Sequence, residues 1–362
     1  MKFSPTGIHR RDLLRLNHDL LRLNRLEGEL AAPPEVRARA RVKTTDLIRV
    51  HRPAMGSYFE IRCGACVPGA VDLASHALDL IDILEAQMSI YSDDSEVSRL
   101  NATAHLEPVN VEPGLFALLQ HAIELSRQTG GAYDVTSGAL CEAWGFVRGP
   151  KRVPDEETLA QARARTGWHH VQLDPEARTV RFDVPGIRIN LGSIGKGYAL
   201  DRAAQVIRNH WFPTPALIHG GQSSVFALGS PPGRFGCCWE VALRNPFRPQ
   251  TPLGVIRVRS RGLGSSGAAF QQFEAQGRVY GHILDPRTGE PAQGPASVTV
   301  LAPTATDADA LSTAFYLLGP EAAREYVARN PAIGVVIVVA GVSDQSPTVL
   351  TFGLSPEDFR RA

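Results

Sequence analysis

The chain has 362 residues, of which 43% are hydrophobic and 21% charged, and its formal net charge is +1. This composition is ordinary for a globular protein and allows one large core or two moderate ones. The near-neutral charge gives no broad attraction to nucleic acid or anionic lipid, so the sequence predicts no nucleic-acid partner.

Residues 1–45 are predicted to be an extension, partly helical or flexible, that precedes one folded domain at residues 46–355. Arg10 and Arg11 are typical of a twin-arginine export signal, but the segment after them carries charged and amide residues where such a signal is apolar. We therefore expect a cytoplasmic protein, with export, a periplasmic location or membrane association as the alternatives. The leucines of this extension favour an appended surface helix over one that covers a partner or a membrane interface.

Periodicity and turn residues predict the elements that follow in chain order. Helices are predicted at 70–88, 113–128, 155–166 and 198–209, then one that carries Asp309 and another from Pro320. Strands are predicted at 58–62, 170–173, 179–184, 187–191, 216–218, 225–228, 239–243, 254–259, 298–301 and 333–339. Because helices and strands intermix without a strict βαβ rhythm, the pattern favours an α+β fold with mixed or antiparallel sheets and packed helices.

Five cysteines are present, and Cys63 and Cys66 have the CxxC spacing of redox or zinc sites. No second CxxC or nearby histidine pair completes a tetrahedral zinc set, and the adjacent Cys237 and Cys238 do not supply one. The odd number also argues against a fold held together only by disulfides.

Asp309 and Thr313 are four residues apart in a predicted helix, so both side-chain oxygens lie on one helical face. A carboxylate and a hydroxyl can supply part of an oxygen shell for Mg²⁺, which takes other contacts from water and substrate phosphates. The alternative is helix capping, with Thr306 as the predicted N-cap and acidic residues complementing the helix dipole.

Residues 189–201 read Ile-Asn-Leu-Gly-Ser-Ile-Gly-Lys-Gly-Tyr-Ala-Leu-Asp, the pattern of a strand, a glycine-rich turn and a helix. Such a turn presents backbone N–H groups and a helix N-terminus to an anion, and Lys196 adds a positive charge. The segment matches neither the Walker A pattern nor GxGxxG. A phosphate site and a purely structural turn both remain open on this segment alone.

Several further stretches carry short motifs in a fixed order along the chain. They are 55–57 (Met-Gly-Ser), 88–101 (Met-Ser-Ile-Tyr-Ser to Ser-Arg-Leu-Asn), 131–136 (Gly-Ala-Tyr-Asp-Val-Thr), 144–146 (Trp-Gly-Phe), 219–221 (His-Gly-Gly), 265–267 (Ser-Ser-Gly), 282–289 (His-Ile-Leu-Asp-Pro-Arg-Thr-Gly) and 308–314 (Ala-Asp-Ala-Leu-Ser-Thr-Ala). Together with 189–201 they resemble the motifs of the FAD:protein FMN transferase (ApbE) family. The resemblance covers roughly residues 50–320 and implies a single ApbE-like, T-fold-related catalytic domain.

The resemblance implies an enzyme that binds FAD and Mg²⁺ and transfers the FMN half of FAD to a Ser or Thr hydroxyl of an acceptor protein, with release of AMP. Two alternatives stay open: an FAD-binding protein without transferase activity, and an FAD pyrophosphatase that gives FMN and AMP. Relatives modify a [DS]-G-A-[ST] motif. The two nearest matches in this chain end in Leu140 and Ala269, so a separate acceptor protein is expected.

The resemblance also implies roles for individual residues. The implied Mg²⁺ ligands are Asp309, Thr313 and the backbone carbonyl of Ser193. The positions implied to line the FAD site are Met55, Tyr91, Ala132, Tyr133, Asp134, Asn190, Lys196 and Ile283. The tyrosine rings provide flat surfaces for a ring system, although core packing is as good an interpretation of Tyr133. Lys196 is expected to donate to phosphate or to a flavin carbonyl.

His282 is the predicted general base, because an imidazole with a pKa near 6.5 suits removal of a hydroxyl proton near neutral pH. The alternative is a histidine that orients Asp285. Two positions depart from the family pattern, since Asn190 and Gln222 stand where acids are common. If both face the metal or the phosphate, the site loses negative charge, which lowers Mg²⁺ affinity and eases phosphate repulsion.

Overall fold

The computed structural model describes Lys43 and residues 45–267, 272–340 and 347–362. The predicted N-terminal extension and its leucine-rich helix therefore lie almost wholly outside the described residues. Within the described part, no helix has the length and apolar character needed to cross a membrane.

Helices and strands alternate irregularly along the chain. The α-helices of the described residues are α1 (Ala70–Met88), α2 (Glu96–Thr103), α3 (Pro113–Gln128), α4 (Gly138–Ala143), α5 (Glu156–Arg163), α6 (Gly195–Arg208) and α7 (Ala305–Arg329). The strands are β1 (Leu47–Ala54), β2 (Ser57–Gly64), β3 (Val109–Asn110), β4 (Val171–Asp174), β5 (Thr179–Phe182), β6 (Ala216–Gly220), β7 (Ser224–Leu228), β8 (Trp239–Leu243), β9 (Gly254–Val258), β10 (Arg261–Ser266), β11 (Gln272–Ala275), β12 (Arg278–Gly281), β13 (Ser297–Ala302), β14 (Gly334–Val339), β15 (Thr348–Phe352) and β16 (Phe359–Arg361).

An antiparallel sheet in the order β1-β2-β6-β7-β10-β13-β14-β15 forms the centre of the molecule. Successive side chains of a strand point to opposite faces. Along β6, Ala216 and Ile218 pack in the core shared with the helices, whereas Leu217 packs in the core shared with the small sheet β16-β9-β8. Both faces of the central sheet are therefore covered, and the predicted α+β class with antiparallel sheets is confirmed.

The two longest predicted helices before the glycine turn have the predicted bounds, because residues at their ends fix where they begin and end. Pro113 occupies the first turn of α3, and the Glu112 side chain accepts from the Leu115 backbone N–H (2.9 Å). Proline suits this position because its missing N–H has no partner there in any helix. After α3, Gly130 and Gly131 both adopt positive φ and turn the chain away.

The predicted strand at 187–191 is wrong, although its apolar residues are buried as expected. Only Arg188 forms an isolated bridge, with Ser137. The backbone of Ile189 is instead satisfied by one side chain, because Asn101 donates to its carbonyl (2.9 Å) and accepts from its N–H (2.7 Å). A side-chain amide thus replaces the neighbouring strand.

Three other predictions near the site need correction. Helix α6 begins at Gly195 rather than near Tyr198, so Lys196 lies in its first turn. The N-cap of α7 is Thr304, whose hydroxyl accepts from the Asp307 N–H (3.0 Å), and not Thr306. The two helices predicted around Asp309 and from Pro320 together form α7, which has non-helical dihedral angles at Gly319.

Candidate active site

One cavity of about 620 Å³ lies where the glycine turn, α7 and the ends of β7 and β10 meet. All the residues predicted for the site line it, although they come from distant parts of the chain. They are Met55, Tyr91, Ala132, Tyr133, Asp134, Asn190, Ser193, Lys196, His282, Ile283, Asp309 and Thr313. Its volume is within the usual range for a ligand pocket. The structure thus brings the predicted residues together, while their individual roles stay predictions.

A second cavity of about 560 Å³ lies on the other side of Asp134 and Pro286. Of the predicted site residues it is lined only by Asp134. The larger cavity is therefore the candidate site.

Asp309 is buried at one end of the cavity, and each of its carboxylate oxygens accepts one hydrogen bond. The Gly197 N–H donates to Oδ2 (2.8 Å) and the Ser224 hydroxyl donates to Oδ1 (2.6 Å). An ionised carboxylate has about four acceptor positions, so both oxygens retain capacity for a cation. Burial raises the pKa of the Asp309 carboxyl, and the Lys196 charge and both hydrogen bonds oppose this rise.

The close approach of α7 to β10 places Asp309 over the sheet. A Cβ added at Gly264 would lie 2.4 Å from the Ala308 carbonyl atoms, a distance no real side chain tolerates. Glycine in β10 therefore lets the helix backbone rest directly on the strand, next to Ser265 and Ser266. Any side chain at this position would force the backbone of α7 at Ala308 and Asp309 away from the strand.

Hydroxyl groups surround Asp309, and we call this group the carboxylate end: Ser193, Ser224, Ser266, Asp309 and Thr313. The Ser266 hydroxyl lies 3.2 Å from that of Thr313 and 2.8 Å from that of Ser312. Among the described residues, no three His, Cys, Asp or Glu side chains gather as a metal cluster. One carboxylate with hydroxyl and carbonyl oxygens fits Mg²⁺, which keeps several waters and takes ligands from substrate phosphates.

The glycine turn at 190–196 is held by its own side chains. The Gly192 N–H donates to Asn190 Oδ1 (2.9 Å), and the Lys196 ammonium donates to the Gly192 carbonyl (3.4 Å). Asn190 performs an acceptor role that a carboxylate would also fill. The nearby thiol of Cys141 is not a nucleophile near neutral pH, because burial raises its pKa to about 11.

Tyr133 lies deep in the cavity wall with its hydroxyl buried. That hydroxyl has no partner in hydrogen-bond geometry among the described residues. Burial raises the pKa of the phenol well above its ordinary value, the Asp134 charge adds to the rise, and the Ser193 side chain opposes it. Such an unsatisfied group costs free energy unless a ligand or water pairs with it, so Tyr133 both packs in the core and offers the cavity a donor.

Asp134 lines the cavity with both carboxylate oxygens already hydrogen-bonded, and Met55 lines it from a hairpin turn. Both Asp134 oxygens are occupied, since Oδ1 accepts from the N–H and hydroxyl of Thr136 and Oδ2 from the Trp168 N–H (2.8 Å). Met55 and Gly56 both have positive φ in the two-residue β1–β2 hairpin. Positive φ at both central residues is the type I′ geometry that two-residue hairpins favour, and Met55 adopts it at the steric cost of a non-glycine side chain.

His282 and Ile283 begin a loop that folds back on itself. The Ala292 N–H donates to the Ile283 carbonyl (2.8 Å), and Arg287 donates to both carboxylate oxygens of Asp285 (2.9 and 2.7 Å). Asp285 is thus held by its own loop. His282 lines the cavity as a predicted base requires.

Part of the cavity lining is exposed, and we call it the mouth: Tyr91 and Gln222, with Arg244 bound to Gln222. The Tyr91 side chain is 64% exposed. Gln222 lines the cavity, and its Oε1 accepts from Arg244 Nη1 (2.7 Å). Arg244 follows β8, so the small sheet reaches the site at this point. The predicted loss of charge at residue 222 therefore falls on an exposed side chain that is held by Arg244, whereas the hydrogen bonds to Asp309 come from Gly197 and Ser224.

Sequence reasoning missed two kinds of residue. Ser224 completes the carboxylate end but is an ordinary strand residue in the sequence, and Ser266 lies in the motif at 265–267 but was given no role. The available signal for Ser224 was its place directly before the apolar strand predicted at 225–228. In the structure this serine begins β7 and is buried. Arg244 gave no signal, because its partner Gln222 lies 22 residues away in the turn between β6 and β7.

These observations define an α+β protein with a nucleotide-sized cavity that is lined by a glycine turn, a lysine, aromatic rings and a buried carboxylate. The model of the ApbE family matches residues 55–337 of the chain. The chain therefore belongs to the ApbE family.

Individual relatives agree with this assignment. An FAD:protein FMN transferase of Treponema pallidum is 33% identical over 272 residues, which are 72% of this chain and 75% of the relative. One from Vibrio cholerae is 32% identical over 304 residues, 82% of this chain and 89% of the relative. The crystal structure of the ApbE protein of Thermotoga maritima superimposes with a TM-score of 0.77 at 29% identity, covering 85% of this chain and 97% of that one.

Proposed function

We propose that this protein is a flavin transferase, which moves the FMN moiety of FAD to a Ser or Thr hydroxyl of an acceptor protein and releases AMP. Its relatives are FAD:protein FMN transferases. The observation that carries the proposal is that the residues matching the family motifs line one cavity of nucleotide size. FAD is the substrate and Mg²⁺ the resident cation.

The reaction is a displacement at the FMN-side phosphorus. The acceptor oxygen forms a bond to that phosphorus, the bond from phosphorus to the AMP oxygen breaks, and AMP leaves with the bonding electrons. His282 takes the proton of the attacking hydroxyl. Phosphoryl transfer of this kind depends on positioning and on neutralising charge more than on covalent help from the protein.

The carboxylate end is where the cation is expected. Asp309, Thr313 and the Ser193 carbonyl would hold Mg²⁺, which when bound offsets negative charge on the diphosphate. Lys196 and the first turn of α6 supply further positive potential for the same phosphates. The Gly197 and Ser224 hydrogen bonds fix the orientation of Asp309 before any ligand arrives.

The two altered positions are compatible with turnover. Asn190 accepts the Gly192 N–H, which an aspartate would also do, and Gln222 is held by Arg244 at the mouth. Simple FAD storage and FAD hydrolysis are the competing functions. Hydrolysis differs from transfer only in that water replaces the acceptor hydroxyl.

The test is to incubate the purified protein with FAD and Mg²⁺, with and without a peptide carrying a [DS]-G-A-[ST] motif. Transfer predicts AMP together with a flavin-bearing peptide in the mass spectrum. Free FMN with AMP would instead indicate a pyrophosphatase, and bound but intact FAD a storage protein. If FAD is neither bound nor consumed, the proposal is wrong. A parallel reaction with EDTA, which chelates divalent cations, tests whether the reaction requires one.

We further propose that the protein acts in the cytoplasm, on the basis of the charged segment after Arg10 and Arg11. Mass spectrometry of the N-terminus of the protein recovered from fractionated cells tests this location. Recovery from the periplasmic or membrane fraction would contradict it.

A further inference from the structure

The N-termini of α6 and α7 meet beside the cavity. The first backbone N–H groups of any helix lack partners within the helix and must be satisfied from outside. Here each helix supplies a carboxylate to the other. Asp309 of α7 accepts from Gly197 in the first turn of α6 (2.8 Å). Asp201 of α6 accepts from Ala305 (2.9 Å) and Thr306 (2.8 Å) in the first turn of α7.

Asp201 is bound more completely than its partner. The Thr306 hydroxyl also donates to its Oδ2 (2.5 Å), so three donors of α7 converge on one carboxylate of α6. The contact is tight, because a Cβ added at Gly197 would lie 2.1 Å from the Ala305 carbonyl oxygen. The two N-termini therefore have one mutual arrangement, which the crossed carboxylates hold.

A second cap of α7 provides a contrast. The Thr304 hydroxyl accepts from the Asp307 N–H (3.0 Å), which satisfies the same first turn from within its own segment. This cap stabilises the helix but does not connect it to α6. Asp201 caps the same turn but belongs to α6. It therefore stabilises α7 and also fixes the position of α7 relative to the glycine turn.

We propose that Asp201 is a positioning residue of the flavin-transfer site, which sets the Asp309 carboxylate against the glycine turn so that a divalent cation can bind between them. This inference rests on the proposed function. Asp201 itself contacts neither cation nor flavin, and it acts through the first turn of α7. Asp309 lies one helical turn further along, so a displaced first turn displaces its carboxylate.

The isosteric change Asp201→Asn tests the role. One amide oxygen can still accept, but in either orientation the NH₂ group faces a backbone N–H, that of Ala305 or that of Thr306, so the link between the helices weakens. We expect the affinity for Mn²⁺, measured by titration in the presence of FAD, to fall roughly tenfold, as is typical when an outer partner of a metal site is changed. At saturating Mn²⁺ we expect the variant's cation site to be as fully occupied as that of the wild type.

The matched control is Thr304→Ala, which removes the other cap of the same helix turn. It is expected to lower the melting temperature, as loss of a cap does. Because Thr304 caps α7 from within its own segment, the Mn²⁺ affinity should stay within about twofold of wild type, well short of the loss that follows a change at an outer partner of a metal site. Asp201→Glu keeps the charge and lengthens the side chain by one methylene. It is expected to give a smaller loss of affinity than Asp201→Asn, and it carries the test if the Asp201→Asn variant does not fold.

The outcomes separate the two proposals. Unchanged Mn²⁺ affinity in a folded Asp201 variant, or equal losses in the Asp201 and Thr304 variants, overturns the positioning role and leaves the flavin-transferase proposal standing. A wild-type protein that binds no cation with FAD present overturns both.

Discussion

The two ends of the cavity are built in different ways. At the carboxylate end, Asp309 is buried and receives hydrogen bonds from α6 and β7, while α7 rests directly on β10. At the mouth, Tyr91 and Gln222 are exposed and belong to connecting segments. A site that reacts at one fixed phosphorus needs preorganised groups there, whereas its entrance must admit a large substrate and a protein. We therefore expect changes at the carboxylate end to affect turnover, and changes at the mouth to affect substrate affinity.

The largest effect is expected from Asp309→Asn. Loss of the charge removes the main cation ligand, and electrostatic stabilisation by a bound cation is worth several kcal/mol, so AMP release should fall roughly a thousandfold or more. Asp307→Asn is the control, since Asp307 is on the same helix but pairs with His121 (2.6 Å). If the Asp309→Asn variant retained about a tenth of wild-type turnover, the carboxylate end would not be the catalytic end.

His282→Gln is expected to have the next effect. General base catalysis contributes about 10² to 10⁴-fold, so transfer should fall at least about a hundredfold while FAD binding persists. The acidic limb of the pH–rate profile should disappear with the imidazole. His170→Gln, at a partly buried histidine that pairs with Asp183 (2.8 Å) and does not line the cavity, should leave both rate and profile unchanged. A variant at 282 that keeps the wild-type pH profile contradicts the assignment.

Ser224→Ala should weaken the cation site without destroying it. The lost hydrogen bond to Asp309 is charge-assisted and buried (2.6 Å), and changes at such outer partners cost roughly tenfold in metal affinity. We predict a higher Mg²⁺ requirement, with turnover restored at high Mg²⁺. Ser223→Ala, at the neighbouring hydroxyl, serves as the comparison and should have less effect. Equal Mg²⁺ requirements in wild type and Ser224→Ala would remove Ser224 from the support of the site.

The smallest effect is expected at the mouth. Tyr91→Ala removes a ring whose stacking is worth about 0.5–1.5 kcal/mol, so KM for FAD should rise roughly two- to tenfold while kcat changes little. Tyr91→Phe keeps the ring and should resemble wild type. A large loss of kcat in the alanine variant would mean that the mouth takes part in the reaction itself, and the contrast between the two ends would fail.

Sequence patterns predicted the fold wherever local residues determine it. The helix at 113–128 was predicted to its ends because Pro113 and the glycines at 130 and 131 mark them, and the helix at 70–88 was predicted from its amphipathic pattern. The strand at 187–191 was predicted wrongly because burial was clear from the sequence but the partner was not. The Asn101 side chain that hydrogen-bonds the Ile189 backbone lies 88 residues away, and no local sequence pattern indicates this contact.

The candidate site shows the same contrast between local sequence patterns, which can be recognised, and distant contacts, which cannot. The residues of short motifs were found from their resemblance to a family, and they line one cavity. The contacts that hold them were not predicted. Ser224 lies outside the motifs, Asp201 lies in the motif at 189–201 but was given no role, and the two reach their partners across 85 and 105 residues. Such contacts depend on how α6, α7 and β7 pack, which the sequence of each element does not specify.

A crystal structure of the protein with Mn²⁺ and FAD tests the account most directly. The anomalous signal of Mn²⁺ should lie about 2.0–2.3 Å from an Asp309 oxygen, near the Thr313 hydroxyl and the Ser193 carbonyl, with FAD phosphate oxygens in the remaining positions. A cation bound elsewhere, or FAD outside this cavity, would contradict the account.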